Sequence, residues 1–398
     1  MFKTKNKFLP WLVLVGIILI RGFASGLNGI SGLFLTPVSE ELQVGIGTLS
    51  LYFSVMSAVQ VVWFSYAGRF LNKYDIRIGA AVAAVLQALT FAAFGLMSHV
   101  VGWYALAIPQ AMGSAILVNL IGPILINRWF PNNTGIILGV QSACVGLFGA
   151  VLQPVTSNII VGSGWRAAYL VIGLVAFVVI MAAVFIFLKD RPEKSEEASK
   201  EESTRVVNEE LSTHSASFFA LLIFMLSLTG VAVFVQHIPT YGNLLGYSVT
   251  QVGTALSLAS LGTAVGALMI GFLADRIGAV KTCYVVIGLW FLAVIGFWFG
   301  GRSALIFAAA AFLNGVAIPS VTIISPVLTL AFYGKVHYER IYAKVSMGAP
   351  LSSIFLVPIY GFIYDATQSY VLVLVMLMVL LALAGGSIAY GWRCRKEN

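Results

Sequence analysis

Charged residues are scarce in this chain. Only 10% of its 398 residues are Asp, Glu, Lys or Arg, whereas 60% are apolar, and an ordinary soluble domain has about 25% charged residues. This composition excludes a water-soluble protein. A helix that crosses about 30 Å of hydrocarbon needs about 20 residues, so the chain can hold around a dozen such helices and short connections, with no room for a catalytic domain.

Cysteines, histidines and nucleotide-binding motifs are also sparse. The three cysteines, Cys144, Cys283 and Cys394, are an odd number, and two of them lie in apolar runs, so we expect no disulfide framework. The histidines lie far apart in sequence and lack the spacing of metal ligands. Neither a Gly-Lys-Ser/Thr phosphate loop nor a hydrolytic constellation occurs. We therefore expect no enzyme activity, no direct use of ATP, no metal and no other cofactor.

Long apolar runs separated by polar or turn-forming clusters predict an all-α membrane protein with twelve transmembrane helices. The predicted spans are residues 8–37, 46–67, 78–98, 102–127, 135–161, 166–188, 218–241, 250–273, 281–300, 304–332, 341–364 and 369–391. An even number of spans places both termini on the same side of the membrane.

The distribution of Lys and Arg predicts which side that is. Of the 23 Lys and Arg residues, about twenty fall on the side of the termini, and two, Arg166 and Arg302, fall on the other side. Cytoplasmic loops carry an excess of Lys and Arg, so we expect a multi-pass protein of the plasma or inner membrane with both termini in the cytoplasm. The net charge of +8 is thereby explained without nucleic acid as a partner.

The chain repeats itself on either side of a charged central segment, residues 189–217. The sequence of residues 68–74 recurs at 271–278, an offset of about 203 residues, and residues 129–139 correspond to 334–344 in the same way. Two six-helix halves in the same orientation are typical of parallel-repeat transporters, whose substrate site lies between the halves. The predicted units are bundles at 1–188 and 218–398, joined by a cytoplasmic linker at 189–217.

Residues 271–281, GFLADRIGAVK, resemble the loop signature of the major facilitator superfamily, and residues 68–77 resemble a degraded first copy of it. The resemblance implies a secondary transporter that works by alternating access. Glycines at Gly68 and Gly271 let helices approach closely, and charges at helix ends can form interhelical ion pairs that latch one conformation. The latch candidates are Asp275, Arg276 and Lys73, together with these two glycines.

Within this superfamily, residues 236–241 (QHIPTY), 245–248 and 337–344 (HYERIYAK) are similar to segments of the monocarboxylate and oxalate:formate antiporter group. The resemblance implies a small carboxylate as substrate. Members of that group place an arginine in the eighth helix, whereas residues 256–270 of this chain carry no charge. A carrier of neutral or cationic amphiphiles, or a receptor on the same fold that does not transport, therefore stays open as an alternative.

Arg21 is the one permanent charge predicted deep within a span, about 20 Å along the first helix. A charge there costs several kcal/mol unless it meets a partner or a polar cavity, and we expect no Asp or Glu within any span. An anionic substrate would be that partner. Ser25, Asn28 and Gly32 share the helix face of Arg21, which we expect to line the cavity. The alternative is that Arg21 bonds the backbone of a neighbouring helix.

Further polar residues within the spans complete the predicted substrate site. Asn119, Gln141 and Asn314 lie away from the membrane surfaces and can donate to a carboxylate; packing between helices is the alternative role for each. His237 lies about 28 Å into the seventh span, near the outer mouth, and could act as a proton-sensitive gate or as a structural histidine.

The prediction is thus an organic-anion transporter that works as an antiporter or a proton-linked symporter. Its expected partners are the substrate, membrane lipid and a proton, the last carried on His237 or on the substrate itself. We expect a monomer.

Overall fold

The computed structural model describes residues 8–73, 75–130, 134–189 and 216–394. All regular structure in these ranges is helical, and eleven helical stretches are long and apolar enough to cross a membrane. One of them, Gly139–Phe187, has 49 residues, too many for a single pass. The backbone leaves the helical conformation at Gly164, with φ 82° and ψ 164°, so this stretch makes two passes. The described residues therefore contain the twelve predicted spans.

The helices are numbered α1 to α12 in chain order. They are α1, Leu9–Leu42; α2, Ile46–Lys73; α3, Ile76–Phe94; α4, 100–129; α5, 134–163; α6, 165–187; α7, 216–244; α8, Val249–Ile277; α9, Ala279–Trp298; α10, 304–345; α11, Gly348–Thr367; and α12, Val371–Cys394.

Several helices change their winding within the bundle. In α1 and α7 a 3₁₀ turn interrupts the helix, at Ser31–Phe34 and Val233–Gln236. In α3 and α4 a π-helical segment occurs, at Val85–Leu89 and Ala115–Leu120. Such segments are uncommon inside helices and are frequent at functional sites. The irregular segments therefore direct attention to the middle of α3 and α4 and to the second half of α1 and α7.

Three helices end later than the sequence predicts, which bears on where the charged residues lie. The tenth helix continues to Val345, and the eleventh ends at Thr367 rather than at residue 364. The first helix likewise extends to Leu42. Helices that cross the membrane therefore carry carboxylates beyond their apolar runs, among them Glu41 near the end of α1 and Asp365 near the end of α11. The predicted spans themselves contain no Asp or Glu.

The two ends of the helix bundle are named after an acidic residue that lies at each. We call the end that holds the α1–α2, α7–α8 and α11–α12 connections the Asp365 end, and the opposite end the Asp275 end.

Parts of two predicted features lie outside the described residues. They are most of the predicted linker, residues 190–215, and residues 131–133 of the predicted repeat. The structure also leaves the surroundings of Gly68 and Lys73 undescribed.

The first six helices and the last six meet most closely at the Asp365 end. There α2 packs against α11 so tightly that a Cβ on Gly361 would lie 2.6 Å from the Cα of Gly47. A Cβ on Gly32 of α1 would lie 2.6 Å from the carbonyl oxygen of Gln236 in α7. Backbone contacts of this kind require glycine, and they close this end of the bundle.

Helices α5 and α8 cross between the halves in a regular register. Starting near the Asp365 end, Ser157 contacts Gly253, Gly149 contacts Ser260, and Gly146 contacts Ala264. The next pair in this register is Gly139 and Gly271, and no atom of the described residues lies within 4 Å of a Cβ built on either of them. The two helices therefore separate as they approach the Asp275 end.

Candidate functional site

Arg21 lies at the middle of α1, about 18 Å from its first residue by helical rise. Its side chain is partly exposed. The Nη1 group donates a hydrogen bond of 2.8 Å to Oε1 of Gln141 in α5. The Nε group is buried and has no hydrogen-bond partner among the described residues. The guanidinium thus contacts a neutral amide, and its charge is not balanced by a described carboxylate.

Gln141 is fully buried and connects three helices. Its amide oxygen accepts from Arg21 of α1, while its Nε2 group is buried without a described partner. The amide rests against Gly122 of α4, because a Cβ at that position would lie 2.5 Å from Nε2. Arg21 and Gln141 were both predicted as site residues, and the structure brings their side chains into contact.

Asn119 and Ser25 each lie about one helical turn from a residue of this group. Asn119 is exposed, at the end of the π-helical segment of α4, one turn before Gly122. Ser25 is partly exposed, one turn after Arg21 in α1. The structure therefore places Asn119 and Ser25 within one turn of residues that form the Arg21–Gln141 contact.

Asn28 belongs to a second polar group inside the first six helices. Its Nδ2 group donates to Ser114 Oγ at 2.8 Å, and its Oδ1 atom accepts from Gln87 Nε2 at 3.4 Å. Gln87 also donates to the carbonyl oxygen of Ala24 at 2.8 Å. Gln87 and Ser114 were not among the predicted residues. Their signal in the sequence was the same as for Asn28, a polar side chain deep in an apolar run.

Asn314 in α10 is buried, and its Nδ2 group has no partner among the described residues. Gln110 in α4 is also buried and has both amide atoms unpaired within the described part. Both are thus unpaired amides in the interior of their own halves. The contacts that the structure assigns to Arg21 do not include either of them.

His237 is enclosed within the last six helices. It has no exposed surface, and Nε2 lies 2.8 Å from the carbonyl oxygen of Val357 and Nδ1 lies 3.1 Å from the hydroxyl of Tyr370. Because a carbonyl can only accept, Nε2 carries the hydrogen and Nδ1 accepts from Tyr370. Both ring nitrogens are occupied, which matches the structural alternative for this residue and separates it from the Arg21 group.

The latch candidates lie at the Asp275 end. Asp275 and Arg276 are exposed in the last turn of α8, and the Arg276 guanidinium lies 4.7 Å above the ring of Phe272. Asp275 has no ion-pair partner among the described residues. Gly271 faces open space. Gly68 and Lys73, the other two latch candidates, lie outside the residues whose surroundings the structure describes, so the latch stays a prediction.

A contact between the halves that the sequence did not predict lies at the other end. The carboxylate of Asp365 in α11 accepts two hydrogen bonds from the start of α2, from Ile46 N at 2.8 Å and from Gly47 N at 2.7 Å. These are among the first amide groups of α2, which have no partner within their own helix. Asp365 therefore caps a helix of the opposite half.

The described ranges contain no group of three His, Cys, Asp or Glu side chains that could hold a metal ion. The described polar contact of the Arg21 guanidinium is the amide of Gln141. Amide NH₂ and guanidinium groups donate hydrogen bonds and suit an anionic ligand.

Known proteins resemble this chain in sequence and in fold. It is similar to the oxalate:formate antiporter of Oxalobacter formigenes, with 26% identity over 285 residues, or 70% of this chain and 66% of that protein. It is also similar to the hexuronate transporter of Bacillus subtilis (strain 168), with 24% identity over 160 residues, or 40% of this chain and 37% of that protein. The chain thus spans less than two thirds of the length of either relative.

Among solved structures, a bacterial homologue of the human lysosomal transporter Spinster, in an inward-facing and unoccupied conformation, superposes with a TM-score of 0.72. The identity is 12%, and the match covers 98% of both chains, so it shows the fold alone. The family model of the Major Facilitator Superfamily matches residues 15–253 and 238–397. Together these ranges cover nearly all of the sequence, and the chain belongs to the Major Facilitator Superfamily.

Proposed function

We propose that this protein carries a small organic anion, a carboxylate, across the membrane, and that Arg21 is the counter-charge for it. The observation that carries the proposal is the state of the Arg21 guanidinium. It lies in the middle of a membrane-spanning helix, its Nε group is unpaired, and its described partner is a neutral amide. An isolated charge at this depth costs several kcal/mol, and a bound anion removes that cost.

The chemistry of the guanidinium fits a carboxylate. Arginine presents a planar set of donors that can engage both oxygens of a carboxylate in parallel hydrogen bonds. One Nη group is held by Gln141, which leaves the Nε side of the fork for a ligand. Asn119, exposed one turn from Gly122, supplies a further amide donor for the same anion.

The names of the relatives support this substrate class. Oxalate, formate and hexuronates, which those proteins are named for, all carry a carboxylate. A transport cycle by exchange of two anions, or by co-transport of an anion with a proton, needs no acidic side chain beside Arg21. The proposal therefore includes antiport and proton-linked symport, with the proton carried on the substrate.

The arrangement of the halves supports alternating access. Backbone contacts close the Asp365 end, whereas α5 and α8 separate toward the Asp275 end. Lys and Arg are concentrated at the Asp275 end, and we place that end in the cytoplasm by the positive-inside rule. The conformation described here then corresponds to a carrier that is open to the cytoplasm.

Substitution of Arg21 tests the proposal. Arg21→Gln removes the charge and should abolish saturable uptake of radiolabelled formate, oxalate or galacturonate into proteoliposomes, and Arg21→Lys should weaken it by losing the bidentate geometry. Arg302→Gln is the matched control, because Arg302 is exposed at the Asp365 end above the ring of Phe299. Its uptake should equal that of the wild type.

Thermal denaturation of the same variants separates binding from folding. A ligand at 100 times its dissociation constant stabilises the wild type by about 2.7 kcal/mol, and Arg21→Gln should lose this shift while keeping its own melting temperature. Retained saturable anion uptake by Arg21→Gln would remove Arg21 from the site. The counter-charge of the anion would then lie elsewhere, whereas absence of saturable anion uptake by the wild type would favour a carrier of neutral compounds.

A further inference from the structure

We propose that Gly122 is a positioning residue for Arg21 and that it acts through the amide of Gln141. This inference rests on the proposed function in so far as Arg21 binds the substrate. The contact itself is a property of the structure. It connects three helices in succession: Gly122 of α4 contacts the Gln141 amide of α5, which bonds the Arg21 guanidinium of α1.

The orientation of the Gln141 amide follows from its neighbour. Arginine has donors and no acceptor, so the amide oxygen must face Arg21, and it accepts from Nη1 at 2.8 Å. The Nε2 group then points the other way, toward α4. There it is buried without a described partner. The Arg21 contact therefore directs the amide NH₂ group toward α4, and the residue of α4 beside it must leave room for it.

Glycine at position 122 provides that space. A Cβ there would lie 2.5 Å from Nε2, 3.0 Å from Oε1 and 3.2 Å from Cδ of Gln141, and these are its three nearest atoms. A methyl group would therefore overlap the amide rather than the backbone of a neighbouring helix. Gln141 would have to turn or withdraw, and the 2.8 Å hydrogen bond to Arg21 could not persist.

The local structure of α4 presents Gly122 to α5. The π-helical segment ends at Leu120, two residues before Gly122. Pro123 follows, and proline has no amide hydrogen to bond the carbonyl of Asn119. The winding of α4 is therefore altered on both sides of Gly122. This irregular stretch carries both the exposed Asn119 and the glycine that contacts Gln141.

The inference predicts a specific loss in the Gly122→Ala variant. An arginine released from Gln141 is no longer held in one orientation, so the KM for anion uptake should rise about tenfold with little change in maximal rate. The matched control is Gly162→Ala. Gly162 also lies in α5 and is exposed, and no described atom lies within 4 Å of its Cβ position, so this variant should behave as the wild type.

A double-mutant cycle identifies the route of the effect. In the Gln141→Ala background the amide is absent, so adding Gly122→Ala should change the KM no further. If Gly122→Ala alone folds poorly, the double variant should restore its melting temperature to that of Gln141→Ala. Additive effects, or failure of the double variant to recover, would overturn the inference, because Gly122 would then act through another contact.

A readout that needs no substrate separates this inference from the proposed function. Phenylglyoxal modifies accessible guanidinium groups, and mass spectrometry of the α1 peptide reports the rate at Arg21. The rate should rise in Gly122→Ala and in Gln141→Ala, but not in Gly162→Ala. An unchanged rate in Gly122→Ala refutes the positioning role. Changed reactivity in a protein that transports no organic anion would refute the proposed function alone.

Discussion

Replacing Asp365 by alanine should weaken the contact between the two halves at the Asp365 end. The half-buried carboxylate of Asp365 is held by the amide groups of Ile46 and Gly47 at 2.8 and 2.7 Å. These amide groups start α2, whereas Asp365 belongs to α11. Any motion that separates α2 from α11 at this end must therefore break both hydrogen bonds.

The size of the effect can be worked from this geometry. Loss of a side-chain cap at a helix N-terminus costs about 0.5–2 kcal/mol, and a negative charge near the terminus adds about 0.3–1 kcal/mol. Together they suggest about 2 kcal/mol, or roughly a 30-fold shift of the equilibrium toward forms open at this end. Asp365→Asn keeps one oxygen acceptor and should shift the equilibrium by about half of that free energy.

Distance measurements by double electron–electron resonance between spin labels at Glu40 and Thr367 test the prediction, since both residues are exposed at this end. The population with longer distances should grow in the order wild type, Asp365→Asn, Asp365→Ala. Glu41→Gln is the matched control, because Glu41 bonds Trp165 and Arg166 of its own half. Equal distance distributions for the wild type and Asp365→Ala would refute the reasoning.

Three further predictions concern packing, switching and orientation. Gly315→Ala should lower the free energy of unfolding by about 1–3 kcal/mol, and with it the melting temperature, because its Cβ would overlap backbone of α8. In the control Gly288→Ala the melting temperature should not change, because no described atom lies within 4 Å of the Cβ position of Gly288. Asp275→Asn should lower turnover with little change in substrate affinity, since Asp275 lies at the bundle end with no described ion-pair partner; tenfold weaker binding with normal flux would contradict this. Cysteine at Ser303 should react with an impermeant maleimide in intact cells and cysteine at Lys281 should not, and the reverse pattern would invert the orientation.

The fold was predictable because lipid imposes a simple rule on sequence. Each crossing needs a long apolar run, and a parallel repeat leaves matching loops such as 68–74 and 271–278. The helix ends were less predictable, because apolar runs measure contact with lipid and a helix can continue beyond it. Asp365 illustrates this: it lies past the apolar run and yet inside α11, where it caps another helix.

The candidate site was predictable in its charge and less so in its partners. A lone arginine in an apolar run is conspicuous, and Arg21 does occupy mid-helix. Its contact with Gln141 joins residues 120 positions apart, and a pattern along one helix carries no information on such a pair. Gly122 could not be recognised at all, since its role depends on the atoms that a side chain would displace.

The register of α5 against α8 has a mechanical consequence. Their contacts involve Gly146, Gly149 and Gly253 against serine or alanine, so few bulky side chains interlock along this seam. By contrast, Gly315 places the backbone of α10 directly on that of α8, which binds those two helices as one body. Rotation about the α5–α8 seam then needs little rearrangement of side-chain rotamers. Resistance to such movement must arise at the two ends of the bundle, where single substitutions can remove individual hydrogen bonds.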